Sequence, residues 1–515
     1  MSEPKKAHLI LTMNTLAFTV CFAAWMLNGV LVTYLVDNRV FDWTGSEMGI
    51  LIGIPVLTGS VMRLPVGILT DRYGGKPVYA VLLILSAIPM ALLGQVSDFW
   101  GYALCSLGFG LSGAAFAVGI AFSSVWYSRE HQGTALGIFG AGNAGSALTT
   151  LAAPSILRWL TDGGENIEAW RQLPLFYAGA LVIMAVLFFL LTTNKKPEGS
   201  GEKTMGQLLS PLKRVRVWRF GLYYFLVFGG FVALAQWLVP YYVNVYSMSV
   251  LSAGLLTSIF SFPSGVIRAL GGWMSDKFGA RSVMYWILAI TGICCLLLFF
   301  PKMDIESPGR GVMALAPGVV TEVTDTAIVV GEQRYPLASR PESDIRNVEG
   351  EHQLILPHIQ SWQVAQVEVG NRVARKQLLA RGVTHIFFQA NVWVFTALVF
   401  IIGITMGIGK AAVYRHIPDY YPKEVGVVGG IVGVIGGLGG FFCPIIFGYL
   451  LDLLGLWTTT WVFLFVVTLV CLVWMHRVVR RMEREKQEGR EMLEGPAVGA
   501  ASTREGGAQP AGAPA

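Results

Sequence analysis

The stretch Val61-Met62-Arg63-Leu64-Pro65-Val66-Gly67-Ile68-Leu69-Thr70-Asp71-Arg72-Tyr73-Gly74 returns in altered form as Val266-Ile267-Arg268-Ala269-Leu270-Gly271-Gly272-Trp273-Met274-Ser275-Asp276-Lys277-Phe278-Gly279. Arg63 and Arg268 are 205 residues apart (268 less 63), and the same offset joins Asp71 to Asp276, Gly67 to Gly272 and Gly74 to Gly279. Further on, Gly142-Asn143-Ala144-Gly145 aligns with Gly436-Gly437-Leu438-Gly439 at an offset of 294 (436 less 142). The gain of 89 (294 less 205) is close to the length of a charged segment, 303–386, that interrupts the second copy. Two related halves in parallel orientation, with a domain inserted into the second, account for both offsets.

Around these repeats lie apolar runs long enough to cross roughly 30 Å of hydrocarbon. Residues of the AVILMFWYC set make up 54% of the chain and charged residues 14%, and the mean hydropathy is +0.57. That is too little charge to cover a soluble protein of this size. Helices are expected over 9–36, 46–70, 77–96, 101–127, 132–158, 174–193, 217–246, 250–274, 282–301, 388–414, 425–451 and 457–476. The fold class is all-α transmembrane, twelve helices as two six-helix halves with a small β-rich insert between the ninth and tenth. The expected divisions are 1–194, a linker at 195–216, 217–302, the insert at 303–386, 387–480, and a Gly/Ala/Glu/Pro-rich disordered tail at 481–515.

Basic residues gather in alternate loops: Lys5 and Lys6, Arg72 and Lys76, Lys195 and Lys196, Lys213 to Arg219, Lys277 and Arg281, Arg415 and Lys423, Arg477 to Arg481. The positive-inside rule then places both termini in the cytoplasm, and the insert outside, in a cell inner membrane. Met1 to Lys6 leads straight into an apolar run without an Ala-x-Ala site, so the first segment reads as a helix and not a removable signal. The net charge of +6 is scattered over short loops, which excludes a nucleic-acid partner. All six cysteines fall in apolar segments with no CxxC or Cys/His cluster, so neither disulfide nor metal is expected.

Arg63 and Arg268 each precede the interfacial aspartate of their helix by eight residues, or about 12 Å. Both therefore lie near the bilayer midplane at matched depths. No Asp or Glu occurs within seven residues of either along the chain. An intramembrane arginine costs about 2.5–3.5 kcal/mol on insertion scales, and two without partners call for an anion from elsewhere. The planar, permanently charged guanidinium fork suits a flat oxyanion. The fifth helix (Gly137-Ile138-Phe139-Gly140-Ala141-Gly142-Asn143-Ala144-Gly145) and the eleventh (Gly433-Val434-Ile435-Gly436-Gly437-Leu438-Gly439-Gly440) are dense in glycine, which close helix packing alone explains for most positions. Asn143 differs, because its amide can donate and accept toward a polar solute.

Gly67-x-Leu69-x-Asp71-Arg72-x-Gly74-x-Lys76 resembles the loop motif of the major facilitator superfamily, and the resemblance covers all the membrane segments. It implies that Asp71, Arg72, Asp276 and Lys277 form conformation-dependent pairs that hold the halves closed on the cytoplasmic side. Arg63, Arg268, the run Gly-Ala-Gly-Asn-Ala-Gly and the run Gly-Gly-Leu-Gly-Gly-Phe-Phe look like those of the nitrate/nitrite porter family (NarK-like transporters). That likeness implies an anion clamp by Arg63 and Arg268, nitrate motifs containing Gly140, Gly142, Gly145, Gly436, Gly437 and Gly439, and a site lined by Asn143, Tyr224 and Phe228. Lys410 in Gly409-Lys410-Ala411 and the short form of the fifth-helix motif resemble the nitrate–proton symporter branch. Lysine gives up its proton far more readily than arginine, so Lys410 is either the proton carrier or a fixed third charge. His416 and Asp419 read as loop residues.

No GxxxxGK[ST] motif, redox ligand set or nucleophile–base pair occurs, so neither an enzyme nor a cofactor is expected. The insert resembles biotinyl/lipoyl-type β domains but lacks the Met-Lys-Met attachment site, leaving it as a passive insertion or a contact for an unknown extracytoplasmic partner. The expected activity is secondary nitrate, or nitrite, transport coupled to protons. The rivals are a nitrate/nitrite antiporter, an oxalate or formate carrier, and a membrane-embedded sensor.

Overall fold

The structure, a computed structural model, describes residues 3–127, 129–196, 210–300, 303–341, 357–421 and 425–487. Ten of its helices are long and apolar enough to cross a membrane: α1 (Lys6–Asp37), α2 (Gly45–Tyr73), α3 (Gly75–Gln95), α4 (Phe99–Ser124), α6 (Ile167–Leu191), α7 (Val215–Tyr246), α9 (Ala280–Leu297), α10 (Val392–Tyr420), α11 (Val425–Leu454) and α12 (Thr459–Gln487). An eleventh, α8, is Val250–Val266 followed by Arg268–Phe278, bent by 52°. The expected fifth helix is not continuous. Arg129–Gly140 and Gly145–Leu160 are joined by a 3-10 turn, Ala141–Ala144, and we label the whole α5.

The duplication read from the sequence recurs in backbone detail. Thr44 caps α2 through a reciprocal pair with Glu47, and Ser249 caps α8 by accepting from the Ser252 N–H at 3.2 Å. These caps are again 205 apart (249 less 44). Both helices break one residue before their arginine, at Met62 and Ile267. Both end on a glycine at positive φ, +87° for Gly74 and +82° for Gly279, where any other residue is strained.

Other boundaries differ from expectation. α12 runs to Gln487, past the expected end at 476, because its last turns carry charged helix formers that keep hydrogen-bonding beyond the apolar stretch. Residues 481–487 are therefore helix and not tail, while 488–515 lie outside the described residues. Of the linker at 195–216, residues 197–209 lie outside the described residues, as does Lys423, and α7 has already begun at Val215. His416 and Asp419 sit in the last turns of α10, not in a loop.

The insert is a separate compact unit of antiparallel strands: β1 (Met303–Met313), β2 (Gly318–Val323), β3 (Ala327–Val330), β4 (Gln333–Pro336), β5 (His358–Ala365), β6 (Arg372–Val373) and β7 (Leu378–Phe388). They form a three-stranded sheet, β1-β7-β5, and a four-stranded one, β4-β3-β2-β6. Val320, Ile328, Val373 and Leu379 close its small core.

Within the helical unit the two halves are apposed at the ends of α2 and α11 remote from the Asp71 and Asp276 loops. A Cβ added at Gly53 would stand 2.6 Å from the Phe441 carbonyl oxygen, and one at Gly49 2.9 Å from the Pro444 carbonyl carbon. Gly254 in α8 meets Thr150 and Pro154 of α5 in the same way. The Asp452 carboxylate at the end of α11 accepts from the Gly45 and Ser46 N–H groups, at 2.8 and 2.7 Å, capping α2 from the opposite half. Toward the loops the fit is lost: a Cβ at Gly137, Gly272 or Gly430 would meet nothing within 4 Å among the described residues.

Candidate functional site

The residue after each helix break is the arginine. Arg63 is buried, and its Nη1 donates to the Gly433 carbonyl of α11 at 3.0 Å, crossing from the first half to the second. Its Nε is buried with no hydrogen-bond partner. Arg268 crosses the other way: a Cβ added at Gly140 of α5 would lie 3.5 Å from its Cδ. Applying the second offset, Gly140 corresponds to position 434, one residue from Gly433, so the two crossings are related by the duplication. Neither arginine has a carboxylate partner among the described residues.

Aromatic rings join the two guanidinium groups into a closed circuit. Arg63 Cζ lies 5.1 Å from the Phe228 ring centre, Phe228 stacks on Tyr224 at 5.0 Å and 7°, and Tyr224 meets Tyr414 edge-on at 4.9 Å. Tyr414 is 5.6 Å from Arg268 Cζ, and Phe116 closes the circuit at 5.7 Å from Arg268 and 5.2 Å from Arg63. Trp25 adds a further face to Arg63 at 5.8 Å. A π turn, Phe225–Gly229, sits in α7 beside the Tyr224–Phe228 stack. Such bulges are frequent at functional sites. Room for the stack comes from Gly436, where a Cβ would stand 2.8 Å from Tyr224 Cγ; at Gly437 a Cβ would lie 2.9 Å from Ser60 Cβ, with Arg63 Nη1 beyond it at 3.4 Å. Gly439 admits Gly229 of α7, while Gly142 and Gly145 receive Phe18 and the Thr19 backbone of α1.

Asn143 is buried beside the α8 break but spends a donor on its own helix, Nδ2 to the Gly140 carbonyl at 2.8 Å, leaving Oδ1 without a partner. Lys410 is fully buried and held at Ser264, four residues before Arg268. Its Nζ donates to the Ser264 carbonyl and hydroxyl, both at 3.3 Å, and lies 3.2 Å from the Phe231 ring centre. At the helix ends nearest these loops, Asp276 of α8 pairs with Arg415 of α10, in its own half, at 2.7 Å, and Arg415 also bonds Asp419 at 2.9 Å. Arg72 and Lys277 lie over neighbouring rings, Tyr73 and Trp273, with no ion pair across the halves among the described residues.

The sequence profile of the Major Facilitator Superfamily matches residues 13–329 and 378–509, most of the chain outside the centre of the insert. The chain belongs to the Major Facilitator Superfamily. It is 35% identical to the probable nitrate/nitrite antiporter NarK1 of Thermus thermophilus over 484 residues, 93% of both chains. It is 25% identical to the probable nitrate transporter NarT of Staphylococcus epidermidis, over 92% of this chain and 96% of that one. Within the superfamily it is a NarK-like porter, a multi-pass membrane transporter and not an enzyme. Its fold matches a bacterial homologue of the human lysosomal transporter Spinster, with a TM-score of 0.60 at 15% identity, covering 93% of this chain and 98% of that one.

In this facilitator the circuit takes in Arg63, Arg268, Tyr224 and Phe228 from the expected set and leaves Lys410 and Asn143 at its edge. Phe116, Tyr414 and Trp25 complete it from outside that set. Tyr414 carried a signal, since it lies four residues after Lys410 and so shares its helix face. Phe116 and Trp25 carried none, being aromatics in uniformly apolar runs.

Proposed function

We propose that this transporter moves nitrate, and nitrite with it, across the inner membrane by alternating access, with both termini cytoplasmic. The observation that carries the reading is the circuit: two carboxylate-free guanidinium groups, one from each half, held apart by flat rings. A planar oxyanion between them receives in-plane donors from both arginines and ring faces above and below, while the same rings exclude water. Because the arginines belong to opposite halves, drawing both onto one ion pulls the halves together, which is the coupling alternating access requires. The relatives above, named for nitrate or nitrite transport, support the choice of anion. On this orientation the structure is closed outside at the Asp452 contact and parted inside.

One proton travels with each anion. Lys410 is held at Ser264, four residues before Arg268, with no ion-pair partner among the described residues, so an anion between the arginines offsets the repulsion that a charged ammonium meets there. Lys410 takes a proton as the anion enters and releases it as the anion leaves. Antiport is the second reading, favoured by the name of the 35%-identical relative.

Reconstituted vesicles test all of this. An imposed gradient, acid on the uptake side, drives nitrate accumulation if symport holds. Exchange only against internal nitrite, indifferent to pH, selects antiport. Displacement of bound label by oxalate but not by nitrate removes the substrate assignment, and no anion flux under any gradient turns the reading toward a sensor.

A further inference from the structure

Two amides are buried toward the end of the helical unit remote from the charged loops, and their bonding is opposite. Asn28 follows a break in α1 and is fully buried. Its Nδ2 donates to the Leu51 carbonyl at 2.6 Å and to the Ser106 hydroxyl at 2.9 Å, and its Oδ1 accepts from the Tyr102 hydroxyl at 3.3 Å. All three partners lie in α2 and α4, within the same half. Gln236 of α7 is equally buried, yet neither its Nε2 nor its Oε1 has a hydrogen-bond partner among the described residues.

The difference follows from where each amide sits. Gln236 lies on the seam between the halves. A Cβ added at Gly29 of α1 would stand 2.7 Å from its Cα and Cβ, so the first half presses on it through a residue with no side chain. One turn earlier the seam continues: a Cβ at Gly440 of α11 would meet Val232 of α7 at 2.6 Å and Val56 of α2 at 2.9 Å. Gln236 is eight residues past Phe228, about 12 Å along the helix from the ring circuit, toward the end that the Asp452 contact shuts. Positions 30–32, 231–235 and 238–239 are apolar and almost wholly buried, so the adjoining chain offers its amide no side-chain partner. A buried amide without bonds pays for its lost water in full. Opening of this face separates α1 from α7 and admits water to the seam, which gives Gln236 the partners that Asn28 has in either state.

We propose that Gln236 opposes closure of this face: its amide is unbonded while α1 and α7 touch and becomes hydrated when they part. The Asp452 contact at the same end favours closure, and Gln236 works against it, so that the closed state is not a trap. This rests on alternating access and is indifferent to the identity of the transported ion and to proton coupling.

The test compares the full wild-type chain with Gln236→Leu in lipid nanodiscs, by spin-label distances across each face and by thermal unfolding. The ratio of open to closed at the Asp452 face is expected to fall about 5- to 150-fold, equivalent to the roughly 1–3 kcal/mol that an unbonded amide costs. The melting temperature is expected to rise. Gln236→Met, close to glutamine in shape, is expected to move both readouts the same way, which separates the amide from the packing of leucine. Asn28→Leu is expected to lower the melting temperature and leave the ratio near wild type, because its bonds stay within one half. An unchanged ratio in both Gln236 variants overturns the proposal. So does a lower melting temperature in both, which would show the amide to be bonded through buried water in the closed state. A wild-type chain held in one state at both faces removes alternating access itself, and the proposal with it.

Discussion

Arg63 and Arg268 occupy equivalent positions in a duplicated sequence, yet their surroundings differ. Arg63 is anchored, with a carbonyl bond to Gly433 and three ring faces around it. Arg268 has two ring faces and no hydrogen bond among the described residues. One is built into the packing and the other is held ready. The lesson is that duplication supplied the pair, while the glycines of the facing helices, tight at Gly436 and loose at Gly140, set how far each is committed before an ion arrives.

The sharpest way to break that comparison is to remove each charge. Arg268→Gln should leave thermal stability near wild type and weaken nitrate binding by about 1.5–3 kcal/mol, roughly 10- to 150-fold. Arg63→Gln should lose as much binding and also lower the melting temperature, since its carbonyl bond and ring contacts go with it. Transport in vesicles should be undetectable for both, and near-normal uptake in either discards the clamp. Next in size is Lys410→Ala, expected to abolish accumulation driven by a pH gradient while sparing the downhill exchange of labelled for unlabelled nitrate. Since a symported proton must be available on the uptake side, wild-type uptake should rise as that side is acidified, and the variant should lose the slope.

How much of this was legible beforehand follows from which signals survive in apolar sequence. Charge in oil is conspicuous, so Arg63, Arg268 and Lys410 stood out, and the 205-residue offset fixed two of them at matched depth. The caps at Thr44 and Ser249 share that offset, but hydroxyls are too common in the chain for their match to be a signal. Phe116 is one of 29 phenylalanines in the chain, and nothing in its spacing tells a residue between two arginines from one facing lipid. The break in α5 was equally silent, because Ala-Gly-Asn-Ala suits a helix or a 3-10 turn and the close approach of α1 and α8 decides. For the same reason Asn143 looked available to a solute, although its donor is spent on Gly140.

Two smaller effects refine the contrast. Gly436→Ala should force the Tyr224 ring to move, costing about 1–3 kcal/mol of stability and loosening the stack on Phe228. Gly140→Ala places its methyl at ordinary contact distance from Arg268 and should be nearly silent in both thermal unfolding and uptake. Equal damage from the two would mean that the glycine helices are alike after all. Smallest is Asp452→Asn. A full charge at a helix N-terminus is worth about 0.3–1 kcal/mol, so the ratio of the two access states should shift about two- to fivefold, read as spin-label distances across each face.

The Asp452 contact is lopsided in kind, with a side chain on one side and bare main chain on the other. An alanine scan would register position 452 and pass over Ser46, since the donor there belongs to the peptide group whatever the residue. Proline alone deletes a main-chain donor, and the opening turn of a helix tolerates it. Ser46→Pro is thus the substitution that should expose the hidden partner of this clasp. Gly45, the other donor, is exposed to an ordinary change of letter, because a Cβ there would stand 2.6 Å from Asp452 Oδ1, so the clasp is guarded by a glycine on one side and an acid on the other.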